Sequence, residues 1–293
     1  MSHAWLKDAY DLHVHSGPDV LPRRFDDIDM ARRIIAAGMK GYVIKSHYFC
    51  TSERAQLIGK MFPRCNAVGA VTLNSSMGGI NPAAVEMAGR SGAKMVWFPT
   101  IDSANELEQL ARSPADKLPY WAKIKRQMEA EGVRSPTLCI LKNGKLQDEA
   151  FEILDIMARF NMILATGHVS KAEAFALVKA ARARKVERII MTHVDFPATF
   201  LTIEEQKEMV RCGACMEHTY TTPATGKVAW DLVMAQIRAI GPEHIVIGTD
   251  LGQTAGVFPD EGLVLYGRKM VENGFSEEDF RTIIVKNAAA LLE

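Results

Sequence analysis

The feature that most constrains this chain is an alternation repeated eight times. From Tyr10 onward, the short apolar runs YDLHVH, GYVIKSH, AVGAVTL, KMVWFP, MILATGH, RIIMTH, ACMEHTY and HIVIGTD are separated by amphipathic stretches such as DDIDMARRIIAAG and KAEAFALVKAARARK. The runs have the length and β-branched content of buried strands. The stretches between them carry apolar residues at helical spacing, and many stop at glycine or asparagine. Strands joined through helices lie parallel, so the chain reads as βα units of about thirty residues each. Eight units in 293 residues predict an α/β fold, a (β/α)8 TIM barrel, with residues 1–293 as a single domain. No linker or low-complexity tract divides it.

The rhythm breaks once, after the fourth strand. Residues 100–147 hold a helical stretch around YWAKIKRQMEAEG and a hairpin signalled by KNGK, where Asn143 and Gly144 tolerate positive φ. A barrel places such an excursion at the C-terminal mouth, so this insertion is expected to form a lid or pocket wall.

Composition narrows the partners. Lys plus Arg and Asp plus Glu number 35 each, so no global field favours nucleic acid or an anionic membrane. A small-molecule substrate is the expected partner, with self-association left open. The start MSHAWLKDAY lacks a signal-peptide pattern, and no apolar run approaches a membrane span, so a cytoplasmic location is expected. Five scattered cysteines suit free thiols in a reducing compartment, and RCGAC reads as a helix-to-strand turn at its glycine. No GxGxxG follows the first strand to cradle a dinucleotide.

Chemistry enters with YDLHVH. His13 and His15, two apart on a strand, share a face, with Asp11 one step deeper. Alone, such a pair is most simply two hydrogen-bonded core histidines. Here, however, His168 closes ILATGH, His193 closes IIMTH and Asp250 closes IVIGTD. In a barrel all five reach one mouth, where leaving them buried and unpaired would be costly. A divalent metal removes that cost. Imidazole with carboxylate suits zinc, with manganese or iron as alternatives.

Around them lie candidates for substrate binding: Arg23 and Arg24 in PDVLPRRFDD, His47 in VIKSHY, and His218 and Tyr220 at the end of the seventh strand. The arginines suit a carboxylate or phosphate.

The set HxH, His, His, Asp in this order resembles the amidohydrolase superfamily of metal-dependent hydrolases. KNAAALL looks like that superfamily's closing helix, and DLHVHSGPD, PRR and VIKSHY resemble a branch without established substrates. The resemblance implies that His13, His15, His168, His193 and Asp250 ligate one or two metal ions. It also implies that Asp250 moves the proton of an attacking water, and that an amide, lactone or phosphoester bond of a small, anionic substrate is cleaved. Members with two metals often bridge them with a carboxylated lysine or glutamate at the end of strand four, but this strand ends WFPT, and Lys94 lies at its wrong end. A mononuclear site is then the first inference. Lys45, on the mouth end of strand two, offers a carboxylated bridge instead, since burial makes a neutral amine available to carbon dioxide. It reads equally as an ammonium holding an anionic substrate or as a structural ion pair. Two other functions fit the same fold: a lyase that decarboxylates or hydrates, or a metal-independent lactonase. A binding protein that keeps a structural metal is a third reading.

Overall fold

The computed structural model describes residues 3–112 and 119–293. Each candidate run contains a strand: β1 is Tyr10–Val14, β2 Gly41–Ile44, β3 the two segments Asn66–Val68 and Ala70–Thr72, β4 Met95–Trp97, β5 Ile163–Ala165, β6 Ile189–Met191, β7 Ala214–Thr219 and β8 Ile245–Gly248. All neighbours among them pair in parallel. β3 is split at Gly69 because the chain passes directly over the start of the helix Ser52–Met61. A Cβ at Gly69 would stand 2.4 Å from Ser52 Cα.

The ladders run β1–β2–β3 and, from the second segment of β3, onward through β4, β5, β6 and β7 to β8. Between β8 and β1 there is no continuous ladder. The ring is joined there by Asp250 N–H donating to His13 O and His15 N–H donating to Leu251 O, both 2.8 Å. Deeper in this seam the Asp11 carboxylate takes the place of ladder bonds. It accepts from Thr249 N at 2.9 Å, Thr249 Oγ1 at 2.6 Å and His13 N at 3.1 Å. Asp11 is therefore a seam residue, not a deeper member of the histidine face.

Tyr10, Leu12, Val43, Met95, Trp97, Ile163, Ala165, Ile190 and Val246 fill the barrel, and Ala288, Leu291 and Leu292 of the closing helix plug its N-terminal end. The opposite strand faces pack on the surrounding helices. After β4 come the helices Ala104–Ala111 and Tyr120–Ala130 and a hairpin pairing Leu141–Lys142 with Lys145–Leu146, turned by Asn143 at φ 52° and Gly144 at φ 75°. Part of the expected insertion, 113–118, lies outside the described residues. Cys212 and Cys215 flank a turn at Gly213 and are free thiols. No helix among the described residues is long and apolar enough to cross a membrane.

Candidate metal centre and active-site cavity

The polar ends of β1, β2, β5, β6 and β8 meet at the C-terminal mouth. The register of β1 with β2 shifts between Asp11 and Val14, and such an irregularity re-aims a side chain. Here it turns His13 inward. Gly248 makes room, since a Cβ there would stand 2.4 Å from His13 Cβ and 3.0 Å from Glu217 Oε1.

His13 Nδ1 lies 3.0 Å from Glu217 Oε1. A carboxylate only accepts, so Nδ1 carries the hydrogen and Nε2 keeps its lone pair. That Nε2 sits 3.2 Å from Asp250 Oδ1 and 2.8 Å from Lys45 Nζ. His15 Nε2 is 3.1 Å from the same Asp250 oxygen, while its Nδ1 accepts from Arg23 Nη2 at 3.2 Å. The second Asp250 oxygen accepts from Thr221 Oγ1 at 3.0 Å.

Ligand atoms about 2.0–2.2 Å from one ion stand roughly 3 Å apart. The separations of 3.2 and 3.1 Å fit that spacing, and one ligand atom from each of His13, His15 and Asp250 lies within 4.8 Å of the others. Two imidazoles and a carboxylate with this spacing can hold a divalent cation.

His193 and Asp250 adopt positive φ, 26° and 55°, a region that costs a non-glycine residue of order 1 kcal/mol or more and persists where surrounding bonds hold it. Glu217 Oε2 holds the first by accepting its N–H at 3.0 Å. Glu217 thus bridges His13 and His193 from behind. Thr199 Oγ1 donates to His193 O at 2.7 Å and stands 3.1 Å from His193 Nδ1. Its own hydrogen is committed, so Nδ1–H is the donor and Nε2 is the free nitrogen. The His168 ring lies 4.7 Å from that of His193, centroid to centroid.

Charge in this cluster is shifted by burial and by neighbours. Burial, with the Arg23 charge beside it, holds His15 well below its ordinary 6.5, and burial with neighbouring Lys45 or His168 does the same for His47 and His193. Burial opposes charge on Asp250 too, but His13, His15 and Lys45 outweigh it and hold its carboxyl well below 3.8. Lys45 is brought down to about 8, chiefly by burial. Burial pushes Asp11 up to about 7 against the hydrogen bonds it accepts.

These shifts set an acid limit on the metal-free protein. Near pH 5 the unfolded chain has protonated three histidines that the fold keeps neutral, while folded Asp11 holds one proton that unfolded Asp11 has released. The unfolded state binds a net two more protons, so stability falls with pH by about 2.7 kcal/mol per unit there. Chemical denaturation of chelator-treated protein between pH 5 and 7 checks this. A flat or rising profile toward acid contradicts it.

Beside the cluster opens a cavity of about 560 Å³. Of the sequence candidates, His15, Arg23, Lys45, His47, His168, His193, Tyr220 and Asp250 are on its wall. Pro119, Tyr120 and Trp121 of the insertion form another part, with Phe196, Lys227 and Val257. His47 is anchored by Nδ1 at 2.9 Å from Thr100 Oγ1.

Two expected substrate residues do not reach it. Arg24 stacks over Phe258 at 4.6 Å, outside the wall. His218 faces the helices with Met216, and its Nδ1 lies 3.1 Å from buried Asp195 Oδ2. Strand parity explains the error: Cys215 packs against the interior, so Glu217 follows it inward and His218 turns out. Glu217 is one residue that sequence reasoning missed, and the outward apolar pair Ala214 and Met216 was the signal for it.

The arrangement has counterparts among known proteins. Residues 8–217 match the family of unknown function DUF6282. No curated protein sequence matches the chain. Among solved structures, an amidohydrolase from Pseudomonas aeruginosa superposes with a TM-score of 0.60 at 13% identity, covering 100% of this chain and 98% of that one. The TatD homolog YjjV from Escherichia coli K12 gives 0.58 at 14%, covering 98% of both chains. A metallopeptidase from Rhodobacter sphaeroides, solved with a phosphinate mimic of the dipeptide L-Ala-D-Ala, gives 0.60 at 11%, covering 98% of this chain and 99% of that one. At such identities the likeness is one of fold, that of the TIM-barrel amidohydrolase type, whereas the family match covers more than half of the chain. The chain belongs to the DUF6282 family, whose function is not known, and carries it on the fold of amidohydrolase-type metallohydrolases.

Proposed function

We propose that this protein is a metal-dependent hydrolase that opens an amide, lactone or phosphoester bond in a small, anionic substrate. The observation that carries the reading is the meeting of His13 Nε2 and His15 Nε2 on one oxygen of Asp250, at 3.2 and 3.1 Å, on the rim of a cavity. His13, His15 and Asp250 would hold one ion, with His168 and His193 available to a second; zinc suits these donors, and manganese or iron also fit. A divalent cation supplies Lewis-acid polarisation and lowers the pKa of water.

The chain's own groups supply the rest. Asp250, kept ionised by its neighbours, accepts the proton of the attacking water and returns it to the leaving group. Ligation through Nε2 requires His15 to carry its hydrogen on Nδ1, so Arg23 loses that acceptor. Arg23 keeps its two bonds to Asp19, 2.8 and 2.6 Å, and turns its remaining donor capacity toward the substrate. Lys227, which caps the Phe196 ring at 4.4 Å, adds a further positive charge to the cavity wall. Leu21, Trp121 and Val257 exclude water around an apolar body.

Lys45 is buried with no carboxylate within 4.0 Å of its amine among the described residues, which disfavours the structural ion pair. We read it as the carboxylated bridge. Protein loaded with metal under ¹³C-bicarbonate should show a carbamate carbon that Lys45→Met lacks, and its absence rejects the bridge.

The function itself is tested by screening amides, lactones and phosphoesters on metal-replete protein in ¹⁸O-water. A hydrolase places solvent oxygen in the cleaved bond. Carbon dioxide release without such incorporation would replace this reading with a decarboxylase.

A further inference from the structure

His218, near the end of β7, faces away from the cavity, yet it is wholly buried, as is its partner Asp195; both residues are 0% exposed. His218 Nδ1 lies 3.1 Å from Asp195 Oδ2, and a carboxylate accepts, so Nδ1–H is the donor. The second polar atoms, His218 Nε2 and Asp195 Oδ1, have no hydrogen-bond partner among the described residues. The pair is therefore not a link in a chain of bonds that reaches the cavity. On stability alone it has little to recommend it, since two half-satisfied buried groups cost free energy that apolar side chains of similar size do not. The outward residues before it on β7, Ala214 and Met216, are apolar.

What the pair does hold is a turn. His193, Val194 and Asp195 follow β6 in succession, and each is bonded to Glu217 or His218. Glu217 Oε2 accepts the His193 N–H at 3.0 Å, Glu217 O accepts the Val194 N–H at 2.9 Å, and His218 binds the Asp195 side chain. His193 stands at φ 26°, a conformation that persists only where its surroundings enforce it. The next residue, Phe196, donates its N–H to His193 O at 2.9 Å, and the side chains of both are on the cavity wall.

We propose that His218 is a positioning residue: through Asp195 it clamps, from the helix side of the barrel, the turn that presents His193 and Phe196 to the cavity. This role rests on the active site proposed above. It gives the turn two supports from β7, Glu217 on the cavity side and His218 from behind.

The test is backbone amide exchange, with ¹⁵N-histidine ring spectra, on the full chain stripped of metal. Asp195→Ala combined with His218→Leu removes both polar groups at little change in combined volume, and should unfold at a temperature close to that of the parent protein. Its His193 and Val194 amides should nonetheless exchange at least about 10-fold faster, while those of β6 do not change. The His193 ring should move from a single tautomer, with its hydrogen on Nδ1, toward a mixture of two. His218→Asn, whose amide nitrogen can reach the place of Nδ1, should behave like the parent. Asp195→Ala alone, which removes the acceptor, serves if the double variant does not fold. Turn exchange and ring spectrum unchanged in these variants overturn the clamp and leave the hydrolase reading intact. Both changed, in a protein that fails the ¹⁸O-water screen, keep the clamp and count against the hydrolase.

Discussion

Asp250→Asn should lower kcat by about 10²- to 10⁴-fold, the range that a positioned proton acceptor contributes, and leave the fold intact. Two local features favour an intact fold. Residue 250 sits at φ 55°, where asparagine is, like aspartate, one of the better tolerated side chains. An amide oxygen can also still accept from Thr221 Oγ1, the bond seen at 3.0 Å. What asparagine cannot do is take up a proton, or present the charge that meets His13 and His15. Lost turnover, with thermal unfolding unchanged when both proteins are stripped of metal, is the diagnostic pair. Activity within a few-fold of the parent protein would remove Asp250 from the chemistry.

Chelation is the second large effect. Dialysis against a strong chelator should abolish turnover, and one added divalent metal should restore it. Stability should follow. An ion present at about 100 times its dissociation constant stabilises the folded state by about 2.7 kcal/mol, which for a domain of this size corresponds to roughly 4–5 °C in Tm. Activity that survives complete stripping would favour the metal-independent lactonase, while stripped protein with unchanged Tm would mean that no ion had occupied the centre. The stability gain should shrink toward acid, because an imidazole must be neutral to hold an ion and protons compete for it.

The strands were legible because each is a short apolar run between amphipathic stretches. The five ligand candidates were legible because they close those runs. Two things were not. β7 offers adjacent Glu217 and His218, and the choice between them depends on which face meets the barrel interior, a question of parity that the outward side chains of Ala214 and Met216 answer. Glu106, on the cavity wall with its Oε2 3.2 Å from His168 Nδ1, sits in the first turn of a helix inside the insertion, where a glutamate is ordinary near a helix start. Only the tertiary packing that sets this helix against the His168 loop separates it from a solvated surface carboxylate. The same limit applies to Arg23 and Arg24: neighbours in sequence, they part because one binds Asp19 and the other lies on Phe258.

The seam between β8 and β1 gives the metal centre a second meaning. His13 and His15 come from the first strand and Asp250 from the last, about 235 residues later, and their backbones carry the two hydrogen bonds that join the ring in place of a ladder. A cation shared by these side chains is a clasp between the two ends of the barrel, and it can fasten only after the ends have met. Ion capture would then follow ring closure and hold the seam shut, and the stripped protein should exchange amide hydrogens first at Asp250, Leu251 and His15.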